Sequence, residues 1–135
     1  MYICIVKLKD IHMLEKKTER LFVKVCEHFI HEGFRIYAND THRWCETDGF
    51  YEVEFSLQNG NQYLYIHTAC GNQYLEDKWS KNNGSCYIAD VLENIDSIYC
   101  YQMFFEDLIK SRLGDLLTED LKNNIKEIIE EINEM

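Results

Sequence analysis

Two short stretches of the chain combine residue types that bind metal ions. His42-Arg43-Trp44-Cys45 and His67-Thr68-Ala69-Cys70 each read H-x-x-C. Two imidazole nitrogens and two thiolates would complete the tetrahedral set that Zn²⁺ takes in structural sites. Gly71 after the second pair suits a tight knuckle. The outline is that of a zinc ribbon with His in place of the usual first Cys of each pair. The competing reading is a surface pair of His67 with Glu52, worth little by itself. Strand parity favours the surface pair, because His67 and Cys70 point to opposite faces unless the strand ends or bulges between them. The expectation is therefore no cofactor, with structural zinc on His42, Cys45, His67 and Cys70 as the alternative.

The remaining chemistry-bearing groups are sparser. Cys26, His28 and His31 fall close together on a helical pattern, without a further ligand of obvious spacing. Glu52-Val53-Glu54, with Asp40 or Asp48, resembles the acidic set of a metal-dependent nuclease. Ser56 stands where such a site usually has Lys, and no basic substrate groove accompanies it. The sequence has neither a G-x-S-x-G elbow nor a phosphate-cradling glycine loop. A non-enzymatic role is expected.

Carboxylates are the largest chemical feature. The chain has 24 Asp and Glu against 14 Lys and Arg, a formal charge of −10. Lys7, Lys9, Lys16, Lys17, Arg20, Lys24 and Arg35 make the first 36 residues net positive, so the whole acidic excess falls after them. Glu127, Glu130, Glu131 and Glu134 recur at helical spacing, with a repeat of about 5.4 Å per turn. That is of the same order as the charge repeat of a nucleic-acid strand. Glu106 and Asp107 add a second acidic stretch, and Asp48, Glu52 and Glu54 a third around a hairpin, where Tyr63 and Tyr65 share the polar side. Such rows can occupy a Lys/Arg-rich groove, while Tyr supplies contact area with few rotors. Direct nucleic-acid binding is not expected of so acidic a chain.

The elements that position these groups are legible from periodicity. The expected architecture is α+β, one domain over residues 1–135: an N-terminal helix, an antiparallel β-meander of three to four strands with an Asn-Gly hairpin, and two C-terminal helices. Met1 to Leu8 reads as a short strand. Leu14, Leu21, Phe22, Val25, Phe29 and Ile30 mark one helical face ended by Gly33. Phe34–Ala38 reads as a strand and 39–49 as a loop. Phe50–Leu57 and Gln62–Cys70 read as a hairpin around Asn59-Gly60. With those two as the loop, Val53 faces Ile66, Phe55 faces Leu64, Glu52 faces His67, Glu54 faces Tyr65 and Ser56 faces Tyr63. Residues 71–85 read as loop, and Cys86–Ala89 as a fourth strand or the lead into a helix. Asp90–Leu113 is helical in spacing, with Ser97 a possible interruption and Gly114 the end. Thr118 caps a last helix whose stripe is Leu121, Ile125, Ile128, Ile129 and Ile132.

Six cysteines without a secretory leader, several beside aliphatic or aromatic neighbours, read as reduced thiols of a cytosolic protein. No apolar run reaches the length of a membrane span. In size, acidity and composition the chain resembles stoichiometric inhibitors of basic, nucleic-acid-handling proteins, such as phage-encoded anti-CRISPR proteins. Immunity proteins that neutralise toxin nucleases are the alternative within that class. The rivals are a zinc-stabilised binding domain or metal-dependent enzyme, and a homodimer seamed by the apolar stripe of the last helix.

Overall fold

The fold begins with one long helix against which later elements pack. The computed structural model describes the backbone of residues 2–45, 50–68, 88–92, 95 and 97–135. Within these it describes the side chains of residues 10–37, 55–64, 88, 89, 91, 92, 95 and 97–135. Helix α1 spans Tyr2–His31 and is followed by strands β1 (Arg35–Cys45), β2 (Phe50–Asn59) and β3 (Gln62–Thr68). A short helix α2 (Ile88–Leu92) precedes α3 (Ile98–Lys110), a 3₁₀ turn (Arg112–Leu116) and α4 (Glu119–Asn133). The strands form one antiparallel sheet in the order β1-β2-β3. This is the expected α+β arrangement of N-terminal helix, three-stranded meander and two C-terminal helices. Among the described residues no helix is long and apolar enough to cross a membrane.

Helix α1 starts earlier than the residue types suggest. Residues 2–8 are helix, not the expected strand. No Gly or Pro separates them from the amphipathic run beyond Ile11, and adding turns to an existing helix avoids the cost of a new nucleus. At its other end Gly33 has φ 98°. The Phe34 N–H reaches the Phe29 carbonyl at 2.9 Å and the Gly33 N–H reaches that of Ile30 at 3.0 Å. These are the two bonds of a Schellman motif, and its customary apolar contact is present as the Phe29–Phe34 ring pair, 5.1 Å between centroids. The motif turns the chain directly into β1.

The sheet corrects two expectations. First, β1 continues to Cys45, through residues expected to form a loop, with an irregularity between Asp40 and Trp44. Pairing with β2 overrides the weak strand propensity of Asn39 and Asp40. Second, the hairpin loop is Gly60-Asn61, not Asn59-Gly60, because Asn59 pairs with Gln62. Gly60 supplies the positive φ, at 61°, that the first central position of a primed turn needs. The pairs become Val53–Thr68, Phe55–Ile66, Leu57–Leu64, Glu54–His67, Ser56–Tyr65 and Gln58–Tyr63. Each residue keeps its face, since moving the turn by one residue shifts partners by two and side chains alternate with period two. Burial alone therefore cannot separate the two registers.

Ile36, Leu57 and Leu64 form a buried row across all three strands, with Phe55 beside it. Helix α3 packs over β3, and α1 and α4 pack against α3. Phe22, Val25, Phe29, Phe104, Phe105, Leu108, Ile125 and Ile128 complete one continuous core. The α3 boundaries are set by hydroxyls. Ser97 accepts from the Tyr99 N–H at 3.2 Å and caps the N-terminus. At the far end the helix stops at Lys110, short of the expected Leu113, because Ser111 takes an extended conformation and caps the 3₁₀ turn instead. Thr118 caps α4 as expected, accepting from the Leu121 N–H at 3.2 Å. Ile125, Ile128 and Ile132 are buried in this core, so the apolar stripe of α4 is not available as a dimer seam.

Tyr101 reports on how closed the core is around α3. It is buried against Phe22, edge-on with centroids 5.1 Å apart. Burial, and then the negative charge of Glu19, hold its phenol far above the ordinary tyrosine pKa. Above about pH 10 the unfolded chain releases that proton and the folded chain keeps it. Stability attributable to Tyr101 is thus complete below pH 10 and falls as the pH rises further, by up to about 1.4 kcal/mol per unit. Urea midpoints at pH 8 and pH 11 measure it. The Tyr101→Phe variant is expected to lose less of its midpoint between the two than the parent chain. Equal losses would place the phenol in contact with solvent.

Candidate functional site

The carboxylates singled out by spacing divide between two sides of α4. Because Ile125, Ile128 and Ile132 face inward, Glu127, Glu130 and Glu134 fall on the outward surface and are exposed. Glu131 leans toward α1, where it accepts both bonds from Lys17 Nζ at 3.1 Å. That pair is about half exposed at each end and contributes no more than about 1 kcal/mol. Glu127 shares the same α1-facing groove with Lys17, Arg20 and Lys24. The acidic row of the last helix is therefore partly matched by cations from the first, a long-range pairing that local spacing does not reveal.

On the other side, α3 and α4 are joined by a hydrogen bond from Gln102 Nε2 to Asn133 Oδ1, 2.6 Å long. The two helices run antiparallel there, which brings Glu106 level with Glu130 on a shared outer surface. Phe104, Phe105 and Leu108 face the core, so Tyr99, Met103, Asp107 and Lys110 point outward and Glu106 sits at the edge of that face. Tyr99 and Met103 are exposed by 55% and 54%. Neither was signalled as a site residue by the sequence. The signal was present: both sit outside the buried face defined by Ile98, Tyr101, Phe105 and Leu108. Exposed apolar side chains flanked by carboxylates fit a binding surface better than a fully solvated one.

Around the hairpin, Tyr63 is exposed on β3 opposite Gln58. Ser56, on the same side of the sheet, is buried and accepts from Gln58 Nε2 at 2.8 Å. Tyr65, Glu52 and Glu54 have described backbone only, and Asp48 lies outside the described residues. The backbone places Glu54 between Asn39 of β1 and His67 of β3. It is thus Glu54, not Glu52, that pairs with His67.

The zinc candidates are distributed over both edge strands. His42 and Cys45 lie on β1 and His67 on β3, with β2 between them, a separation of two strand spacings, or roughly 10 Å. A shared ion would have to sit across the middle strand. The side chains of His42, Cys45 and His67, and the whole of Cys70, lie outside the described residues. Among the described residues no group of three His, Cys, Asp or Glu is placed to hold a metal ion. The helical trio separates: Cys26 is buried in the core, His31 is exposed, and a ring nitrogen of His28 is engaged with the Leu116 carbonyl at 2.6 Å. Cys26 and Cys100 are thiols, not half-cystines.

No protein-family model, curated protein or solved structure matches the chain.

Proposed function

We propose that the chain is a small acidic binding protein that inhibits a basic, nucleic-acid-handling protein by occupying its polyanion-binding site, the mode of action of phage anti-defence inhibitors such as anti-CRISPR proteins. The observation that carries this reading is the outer surface shared by α3 and α4. There exposed Tyr99 and Met103 share the outward side of α3 with Asp107, Glu106 sits at its edge, and exposed Glu130 lies on the neighbouring α4. Carboxylates in rows attract a cationic groove from a distance and fix its register. Tyrosine and methionine supply contact that ion pairs in water do not, since methionine adapts to an irregular surface and tyrosine is a frequent anchor. The hairpin residues Asp48, Glu52, Glu54, Tyr63 and Tyr65 belong to the same reading as a second contact region. The reading needs no metal and no chemical step.

The test uses the intact chain as bait in a lysate of its source. The expected capture is a protein with a cationic nucleic-acid site whose binding to nucleic acid is blocked by a stoichiometric amount of the chain. Inhibition should weaken as salt rises, through screening. A variant carrying Glu106→Lys, Asp107→Lys and Glu130→Lys, with unchanged circular dichroism, should lose inhibition by about 100-fold or more, since each lost charge-assisted contact contributes on the order of 1 kcal/mol. Captured proteins without a nucleic-acid site, or full potency in the folded variant, would overturn the reading.

A further inference from the structure

We infer that the face formed by α1 and α4 is a self-complementary surface that binds a second copy of this chain. Two stripes of opposite charge lie side by side on it. On α1, Lys16, Arg20 and Lys24 recur every four residues and are exposed, with Lys17 beside them on the groove side. On α4, Glu127, Glu131 and Glu134 run alongside. Lys17 meets Glu131, while Arg20 and Lys24 line the groove with Glu127. Asp10 and Ile11 share its far end with Glu134 and Met135. The two helices are thus antiparallel, with Lys17 level with Glu131 and Arg20 and Lys24 on either side of the level of Glu127.

Within one copy the two stripes are only partly matched. Among the described residues, Lys16, Arg20, Lys24 and Glu127 enter no ion pair. The face also carries exposed apolar side chains at one end: Met13 is 68% exposed and Met135 49%. A monomer surface of this kind leaves both charge and apolar area unmatched.

The charge pattern selects one way of closing two copies. A two-fold axis across the groove lays cations over cations and carboxylates over carboxylates. A two-fold axis along the groove lays each basic stripe over the acidic stripe of the other copy and preserves the level. Lys17 then stands opposite Glu131, and Arg20 and Lys24 opposite Glu127, of the second copy, twice by symmetry, and Met13 lies toward Met135 of the second copy. The contact is isologous and closed, which limits the assembly to a dimer. It uses the α1 side of α4, whereas the proposed inhibitory surface uses the α3 side, so the two readings stand or fall separately.

Sedimentation of the full chain at 100 µM and low salt tests this, with particles of twice the 16.2 kDa chain mass expected. Two variants sharpen the test. The first, Arg20→Glu with Lys24→Glu, makes both stripes acidic; the second, Glu127→Lys with Glu131→Lys, makes both basic. Each alone is expected to be monomeric. Mixed in equal amounts they should form a heterodimer, although both remain net negative and have no general attraction. All four positions lie outside the buried core, so unchanged circular dichroism is expected of each variant and is the check that it folds. A parent chain that stays monomeric, a dimer indifferent to these reversals, or a mixture that stays monomeric would each overturn the inference. The variant with Glu106, Asp107 and Glu130 reversed, all outside the α1-facing groove, should still dimerise.

Discussion

Replacing Phe22 with alanine is expected to remove about 3–5 kcal/mol of folding stability, as for other fully buried aromatics. Phe22 has no exposed surface. Its ring meets Tyr101 edge-on at 5.1 Å and 65°, and Phe104 at 5.3 Å and 70°. Edge-to-face pairs of this kind contribute about 0.5–1.5 kcal/mol beyond the apolar area they bury. Both partners belong to α3, so this one side chain makes two aromatic contacts from α1 to the C-terminal helices. The cavity left by alanine cannot close by simple collapse. Phe104 also packs on Phe105 at 5.7 Å, and Phe105 and Leu108 are themselves fully buried. Against a typical total of about 5–15 kcal/mol, such a loss places the variant near the edge of folding. Guanidinium unfolding measures it directly. Phe22→Leu should recover part of the loss, and Ile30→Ala, at a site 43% exposed, should cost less than about 0.5 kcal/mol. A Phe22→Ala midpoint close to the parent value would mean that α1 docks on α3 by other contacts.

The same helix shows where sequence reading succeeds and where it stops. The face of α1 that carries Leu21, Phe22, Val25 and Phe29 is legible because burial imposes a period of 3.6 on the residues themselves. Gly33, Ser97 and Thr118 are legible for a local reason: each satisfies or redirects backbone groups within four residues of itself. Residues 2–8 are misread because β-branched residues signal strand only when they pair with another strand, and these continue a helix and join no strand of the sheet. The hairpin register is misread because two turns one residue apart bury the same side chains. The site suffers most. Spacing groups Glu127, Glu130, Glu131 and Glu134 as one row, but Lys17, far away in sequence, claims Glu131 and splits the row between two neighbours. Tyr99 and Met103 are hydrophobic residues in a helical pattern, and only the packing of α3 shows that they are on its outer side.

The second large effect is expected from a single methyl group. Gly114 is buried in the 3₁₀ turn, and a Cβ there would stand 2.8 Å from the Leu108 carbonyl oxygen and 3.3 Å from that of Ile109. These are backbone atoms of the last turn of α3, and the first of them is held. The Leu108 carbonyl accepts from the Ser111 N–H at 3.2 Å and from Ser111 Oγ at 2.9 Å. The helix end cannot yield without breaking its own cap, so the 3₁₀ turn must move instead. Outward movement strains the Gly114–Ser111 and Leu117–Gly114 backbone bonds of 3.1 and 3.2 Å and draws the buried side chains of Leu113 and Leu117 out of place. Gly114→Ala is therefore expected to cost roughly 1–3 kcal/mol, after the smaller gain from a stiffer unfolded chain of about 0.4–1 kcal/mol. The strain should be felt at His28, whose ring bonds the Leu116 carbonyl at 2.6 Å. If the turn is displaced, that bond is already weakened in Gly114→Ala, and adding His28→Ala should cost less than it does in the parent chain. Thermal unfolding of the two single variants and the double variant gives the coupling. Additive losses would show that the turn stays in place, and a neutral Gly114→Ala would show that α3 ends more loosely than its hydrogen bonds imply.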